Sequence, residues 1–346
     1  MAMVKADAYG HGLVPVAKAL RDADGLAVAR LQEAIALRRA GLTQRILLLG
    51  TLLDSNDVAE CSALSIDVTA HDARSVEVIA AAARHQSLRV WLKLDSGMHR
   101  AGMDAQAFVE ADRLLTSLPG IGELTHMTHF SSAEDLSSEA TGQQIRCFFD
   151  CHQVNPSAKA SLANSAALIS RPDVHADWVR PGIMLYGGNP LAGCGVDVRP
   201  VMTMLARVMA VRSIAAGEAV GYNRCWVSGR PSRIATLGIG YGDGYPRHAP
   251  NGTPVWINGR VAPLVGRVSM DSIGVDVTDC DDIVVGDEAT LWGSSLSVAK
   301  IAEHAGTINY ALLTGVSQRV SREYELPDRG RDIDQRKELF LGTPTG

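Results

Sequence analysis

The first 186 residues keep a regular alternation, and it narrows the fold more than any single residue does. Short apolar runs fall at 3–5, 26–29, 46–49, 66–69, 90–95, 124–129, 160–164 and 178–184. Between them lie helix-like stretches at 13–21, 31–40, 56–61, 73–85, 104–117 and 139–152, with a shorter one at 166–170. Strand alternating with helix implies parallel strands joined by right-handed crossovers. Eight strands in a unit of this length predict a (β/α)8 barrel rather than an open sheet.

The alternation stops near Gly187. Gly187-Gly188-Asn189-Pro190 starts a glycine- and proline-rich segment that runs to Pro200. Beyond it the pattern predicts strands at 203–214, 233–239, 255–261, 265–277 and 288–292. Ala215-Ala216-Gly217-Glu218 reads as a turn, and Asn258-Gly259 is a strong hairpin signal. Helices are expected near 297–304 and 309–314. The expectation is an α/β protein in two domains: a (β/α)8 barrel at 1–198 and a mostly β domain at 199–346.

Composition excludes several classes. Two domains of ordinary size fit 346 residues that are 46% apolar. A net charge of −5 and a pI near 6.1 give no support to nucleic-acid binding. No apolar run reaches the length of a membrane span, and no basic-then-apolar leader opens the chain, so the cytoplasm is the expected location. Cys61, Cys147, Cys151, Cys194, Cys225 and Cys280 are scattered. Cys147 and Cys151 could share a helix face but lack a second pair or a histidine at zinc spacing, so reduced structural thiols and no metal are expected.

Polar residues in the first domain collect at one kind of place. Lys5, Lys93 with Asp95, His129, Asn164-Ser165 and Arg180 before Gly182-Ile183 all fall at or just past the carboxyl ends of predicted strands. That rim is where barrel enzymes place catalytic groups. Lys5 ends the first apolar run, and Tyr9 follows four residues on. A lysine so placed can form a Schiff base with an aldehyde cofactor, and the phenol can hold a phosphate. Packing of the lysine stem on apolar neighbours would explain Lys5 alone. It does not explain five polar strand ends on one rim.

These motifs resemble a family. Met3-Val4-Lys5-Ala6-Asp7-Ala8-Tyr9-Gly10-His11-Gly12 is similar to the pyridoxal-phosphate signature of bacterial alanine racemases. The likeness continues through Leu92-Lys93-Leu94-Asp95-Ser96-Gly97-Met98-His99-Arg100, Thr128-His129-Phe130, Ala163-Asn164-Ser165-Ala166 and Val179-Arg180-Pro181-Gly182-Ile183-Met184-Leu185-Tyr186-Gly187. In the second domain it includes Gly240-Tyr241-Gly242-Asp243-Gly244-Tyr245-Pro246-Arg247, Gly266-Arg267-Val268-Ser269-Met270-Asp271 and Ile308-Asn309-Tyr310 leading to Tyr324.

The resemblance implies a pyridoxal 5'-phosphate-dependent racemase that interconverts L- and D-alanine, for cell-wall synthesis or alanine catabolism, as a homodimer. It implies that Lys5 carries the cofactor and works as acid or base on one face of the substrate's Cα. Tyr241 would work on the other face, reaching in from the partner subunit. His129 and Arg180 would link the phenol to the cofactor, with Arg180 facing the pyridine nitrogen. Tyr9, Asn164, Ser165, Gly182, Ile183 and Tyr324 would bind the cofactor, chiefly its phosphate. Arg100 would contact the cofactor's phenolic oxygen and the substrate carboxylate, beside Lys93, a position often carbamylated in relatives. Met270 and Asp271 would line the substrate pocket from the partner's side. For Ser165, N-capping of the helix at 166–170 is a second role.

Three features depart from the family pattern. Ser269 stands where many relatives have cysteine, and Ser272 where glutamine is common, which bears on substrate preference. A racemase preferring serine or another small amino acid is the alternative on that ground. Relatives also carry a strand and helix before the lysine motif, so an upstream native start is expected, or else a truncated cofactor-binding protein of impaired activity.

Overall fold

The computed structural model describes residues 1–50, 54–191, 196–280 and 282–325. Seven parallel strands pair in chain order: β1 (Ala2–Met3), β2 (Gly25–Val28), β3 (Arg45–Leu48), β4 (Ile66–Ala70), β5 (Leu88–Lys93), β6 (Ile121–Met127) and β7 (Lys159–Ser161). The helical segments between and after them are α1 (Lys5–Tyr9), α2 (Leu13–Ala19), α3 (Leu31–Arg39), α4 (Ser55–Ala63), α5 (Ala73–Ala82), α6 (Ala105–Thr116), α7 (Ala140–His152) and α8 (Ser165–Ser170). The strands are apolar along both faces because one faces the barrel interior and the other the helices. Leu26, Leu47, Val68 and Val90 are fully buried, as are Leu37, Ile79 and Phe108 on the covering helices. Each such side chain stabilises the fold by about 1.5–3 kcal/mol.

The eighth predicted strand is not one. Residues 178–182 run without a ladder, and Ile183–Tyr186 form a 3-10 turn. Pro181 has no N–H to donate, which breaks strand pairing there. The segment still bonds to both edges of the sheet. Trp178 N donates to Ala160 O at 3.1 Å and Arg180 N to Ala163 O at 2.9 Å. On the other side Met3 N donates to Pro181 O at 2.9 Å, and the Met1 amine to Val179 O at 3.1 Å. The sheet thus curls until an irregular segment bridges its two edges.

The opposite rim is tied by charge. Fully buried Asp67 accepts from Arg45, from Arg89 Nε at 2.6 Å and from Trp91 Nε1 at 2.9 Å. Glu123 joins Arg45 to Lys159.

The second domain contains β8 (Met204–Ile214), β9 (Ala219–Val220), β10 (Trp226–Val227), β11 (Ser232–Leu237), β12 (Pro254–Ile257), β13 (Arg260–Val265), β14 (Ile273–Asp276) and β15 (Glu288–Trp292). Six of them close a barrel in the order β11-β14-β13-β12-β15-β8. Asn258 (φ 47°) and Gly259 (φ 80°) make the expected hairpin bend. The strand expected at 265–277 forms only at its end, as β14, because β13 stops at Val265, Gly266 takes φ 78° and the chain loops out. That loop carries Ser269, Met270 and Asp271. Helices α9 (Val298–His304) and α10 (Asn309–Thr314) follow, as expected.

Candidate active site

Lys5 does not end a strand. Strand β1 stops at Met3, and Lys5 opens α1, where Ala6, Asp7, Ala8 and Tyr9 all take φ between 52° and 55°. This is a left-handed turn, which costs L-residues about 1–2 kcal/mol each. Hydrogen bonds hold it. Ala6 N donates to Glu33 Oε1 at 2.7 Å, Ala8 N to Val4 O at 2.9 Å, and Leu13 N to Asp7 Oδ1 at 2.7 Å. His11 Nδ1 lies 2.9 Å from Tyr9 O and 3.1 Å from Ala8 O, so this nitrogen carries the proton. Tyr9 stacks on Tyr186 at 4.7 Å, and the Tyr186 hydroxyl donates to Met3 O. The turn points a half-buried lysine amine into the barrel mouth. Burial, then Arg100 and Arg180, lower its pKa, against Glu33.

Four cations meet there. Arg180 is 4% exposed, and burial lowers its pKa to about 10. Its Nη1 donates to Ser161 Oγ at 2.5 Å, and its Nη2 to Thr128 O at 2.5 Å. Among the described residues its Nε makes no hydrogen bond. Lys93 is lowered to about 8 by burial, then by Arg100, Arg180 and Lys5. His129, just past β6, is lowered to about 3 by burial, with Arg180, Arg100, Lys93 and Lys5 adding to it. It therefore stays neutral. Asp95 holds the loop that leads to Arg100, accepting from the amides of Gly97, Met98 and His99 and facing the His99 ring at 3.1 Å. Among the described residues Asp95 makes no ion pair with Lys93 and faces His99 instead.

The phosphate candidates gather beside this cluster. Ser165 Oγ accepts from Gly182 N at 2.8 Å. The cap of α8 is made instead by Asn164, whose Oδ1 accepts from Ala167 N at 3.0 Å. Ser165 is therefore free of capping, and Asn164 serves the backbone. At Gly182 a side chain would come within 2.6 Å of the Tyr9 hydroxyl, and at Gly12 within 2.1 Å of the Tyr324 hydroxyl. The two phenols thus press against bare backbone at the mouth, with Ile183 following Gly182 into the 3-10 turn.

Tyr241, Met270 and Asp271 lie elsewhere. Tyr241 opens a 3-10 turn (Tyr241–Asp243), and its N–H donates to Ser269 O. Gly242 N donates to Met270 O at 2.9 Å. Arg319 joins the two loops, with Nε 2.7 Å from Asp243 and Nη2 2.6 Å from Asp271. Tyr241 is 41% exposed and Met270 53%. Among the described residues no hydrogen bond, ion pair or ring contact joins Tyr241 to Lys5.

Several supporting residues were not singled out by sequence. Glu33, which fixes the amides of Ala6, Ala29 and Arg30, was detectable as a helix-start glutamate three residues after Arg30. Arg319 and Arg322 lie in an aperiodic tail and had no local signal. Arg322 Nε donates to Gly10 O at 3.0 Å and ties the second domain to the lysine turn. Cys194 lies outside the described residues.

The surplus of positive charge in the mouth is answered only in part, by Glu33 near Lys5 and Asp95 near Lys93. A phosphate-bearing aldehyde fits it: the phosphate meets hydroxyls and amides at the cradle, and the carbonyl meets an amine depressed toward its neutral, nucleophilic form. With a parallel barrel beneath it and a β barrel behind, this mouth has the charge and the donors to hold such a cofactor.

Comparison with known proteins specifies the kind. Residues 1–190 match the family model for the alanine racemase N-terminal domain, and residues 201–324 that for the C-terminal domain. The alanine racemase of Azoarcus sp. (strain BH72) is 46% identical over 93% of this chain and 91% of its own. The crystal structure of the biosynthetic alanine racemase from Pseudomonas aeruginosa matches with a TM-score of 0.90 at 44% identity, over 94% of this chain and 92% of that one. An alanine racemase from Bartonella henselae, with covalently bound pyridoxal phosphate, matches with a TM-score of 0.87 at 31% identity, over 94% and 92%. The chain belongs to the alanine racemase family.

Proposed function

We propose that this isomerase racemises alanine with two bases, Lys5 on one face of the substrate's Cα and Tyr241 of a second copy on the other. The observation that carries this is the separation of the two groups. Lys5 sits in an enclosed cationic mouth, while Tyr241, Met270 and Asp271 form one exposed cluster that Arg319 holds together. A homodimer that brings the cluster of one copy to the mouth of the other completes the site.

Pyridoxal phosphate, when bound, supplies an electron sink that acidifies the Cα–H. The chain's own residues do the rest. Lys5, with its pKa depressed by burial and by Arg100, takes or returns a proton at Nζ. Tyr241 does so at its hydroxyl. Racemisation requires this opposition, since the proton must leave one face and return on the other. His129 accepts no permanent charge, so it can pass a proton between the phenol and the cofactor side. Arg180 would offer a bound pyridine ring a guanidinium rather than a carboxylate, which would disfavour protonation of its nitrogen. Arg100 takes the substrate carboxylate. Tyr9, Ser165, Tyr324 and the Gly182 and Ile183 amides hold the phosphate, with Asn164 fixing the turn beside them.

Lys93 belongs to the same reading. Its pKa near 8 leaves part of the amine neutral at physiological pH, able to add carbon dioxide and release a proton. The resulting carbamate would offset Arg100. The division at 198 and 199 is supported by the change from parallel to antiparallel architecture after Tyr186. No described helix is long and apolar enough to cross a membrane, in keeping with a cytoplasmic location.

The test is complementation. Lys5→Ala and Tyr241→Phe are each expected to lose at least about 100-fold in alanine racemisation. Mixing them under conditions that exchange subunits should restore activity, because one site in each mixed dimer keeps both groups. Two inactive variants that stay inactive as proven mixed dimers would overturn the shared site. Full racemisation by Lys5→Ala would overturn the mechanism.

A further inference from the structure

One polar side chain beside the mouth has every hydrogen-bonding position filled, and all its partners lie on the rim loops. Gln144, in the first turns of α7, is 2% exposed. Its Oε1 accepts from Ser131 N at 2.9 Å and from Ser131 Oγ at 3.1 Å. Its Nε2 donates to His129 O at 3.0 Å and to Ser96 Oγ at 3.2 Å. The amide can face only one way, because Ser131 N can only donate and His129 O can only accept.

The chain of bonds runs on with its directions determined. Thr128 Oγ1 donates to Leu94 O at 3.0 Å. Ser96 Oγ, 2.7 Å away, must therefore donate to Thr128 Oγ1 and accept from Gln144. Thr128 O in turn accepts from Arg180 Nη2. Thr128 N donates to Ser161 O, and Ser161 Oγ accepts from Arg180 Nη1. One amide thus sets the path of 128–131, which carries His129 by its backbone and supplies a carbonyl that orients Arg180.

We propose that Gln144 is a positioning residue for the reaction, acting through the 128–131 turn to place His129 and Arg180. This rests on the roles assigned to those two residues above. A buried glutamine is costly unless fully bonded, and this one spends its bonds on two rim segments rather than on its own helix. It touches none of the reacting groups directly. Its loss should therefore act on the chemical step and on proton transfer, with little effect on alanine binding through Arg100.

The test compares Gln144→Glu, which keeps the shape but loses both N–H donors, with Gln144→Met, both as holoenzyme. Expected are a kcat at least tenfold lower with KM for alanine within about twofold, a shifted pH profile of kcat/KM, and a changed absorbance band of the bound cofactor. Ser96→Ala breaks the same chain at another link and should shift the pH profile in the same direction, even where a Gln144 variant folds poorly. Arg180→Lys is run beside them. If it moves the profile and spectrum while the Gln144 and Ser96 variants leave both unchanged, the tether is overturned and the site roles stand. If Arg180→Lys also leaves them unchanged, the site roles fail and the tether falls with them.

Discussion

His129 shows how a single side chain is tuned by its neighbours. Burial and four nearby cations hold its folded pKa near 3, against an ordinary value of about 6.5. Between those values the unfolded chain binds a proton that the fold refuses. This group's share of stability is therefore whole above about pH 6.5, is lost as pH falls through the window, and falls no further below about pH 3. For the cofactor-free protein, urea midpoints should drop between pH 7 and pH 4, and His129→Asn should make the drop shallower. An unchanged slope in that variant would place the acid sensitivity elsewhere. Lys93 follows the same sign in a higher window. Its folded pKa near 8 lies below the usual lysine value, so the cofactor-free fold gains stability as pH rises from about 8 to 10.4. Lys93→Met should remove that rise.

At the level of elements, the two rims of the first barrel divide their work. The carboxyl rim carries strain and a surplus of cations, while the amino rim is closed by Asp67 and its partners. Asp67 is fully buried and accepts from two arginines and a tryptophan, so its loss would take the anion from Arg89 and the acceptor from Trp91, and leave Arg45 only Glu123. Asp67→Ala should cost about 3–5 kcal/mol in equilibrium unfolding. The residual activity per folded molecule should hardly change. The strand-helix alternation made this architecture legible, because apolar period and turn chemistry are local. Three features escaped for physical reasons. The segment at 178–184 looks like a strand, yet Pro181 denies it a ladder. The run at 265–277 looks continuous, yet Gly266 turns it out into the loop that bears Met270 and Asp271. Lys5 looks like a strand end, yet it begins a left-handed turn that no propensity favours and that only tertiary bonds sustain. The rim residues were visible as polar strand ends. Gln144, Arg319 and Arg322 were not, because their roles lie in partners distant along the chain.

At the scale of the molecule, the proposed mechanism divides the site between two copies. An active site completed by a partner makes specific activity depend on concentration. Diluted below its dimer dissociation constant, the enzyme should lose activity per mole without losing helical signal, and concentrating it should restore the loss. Retention of full specific activity in demonstrated monomers would contradict the shared site. Within one copy the domains are joined at the lysine turn itself. A side chain at Gly10 would come within 2.0 Å of Leu313 O, so only glycine lets α10 lie this close. Arg322 clamps the same glycine's carbonyl from 312 residues away. That clamp has a consequence for the order of events at the ribosome. The turn behind Lys5 emerges long before Arg322, 312 residues after Gly10, but the turn's left-handed backbone is unfavourable until Gly10 meets α10 and Arg322. Closing so long a loop comes late in folding. The growing chain therefore holds its reactive lysine in an unfinished pocket, and the amine gains its final setting only after α10 and Arg322 have been made.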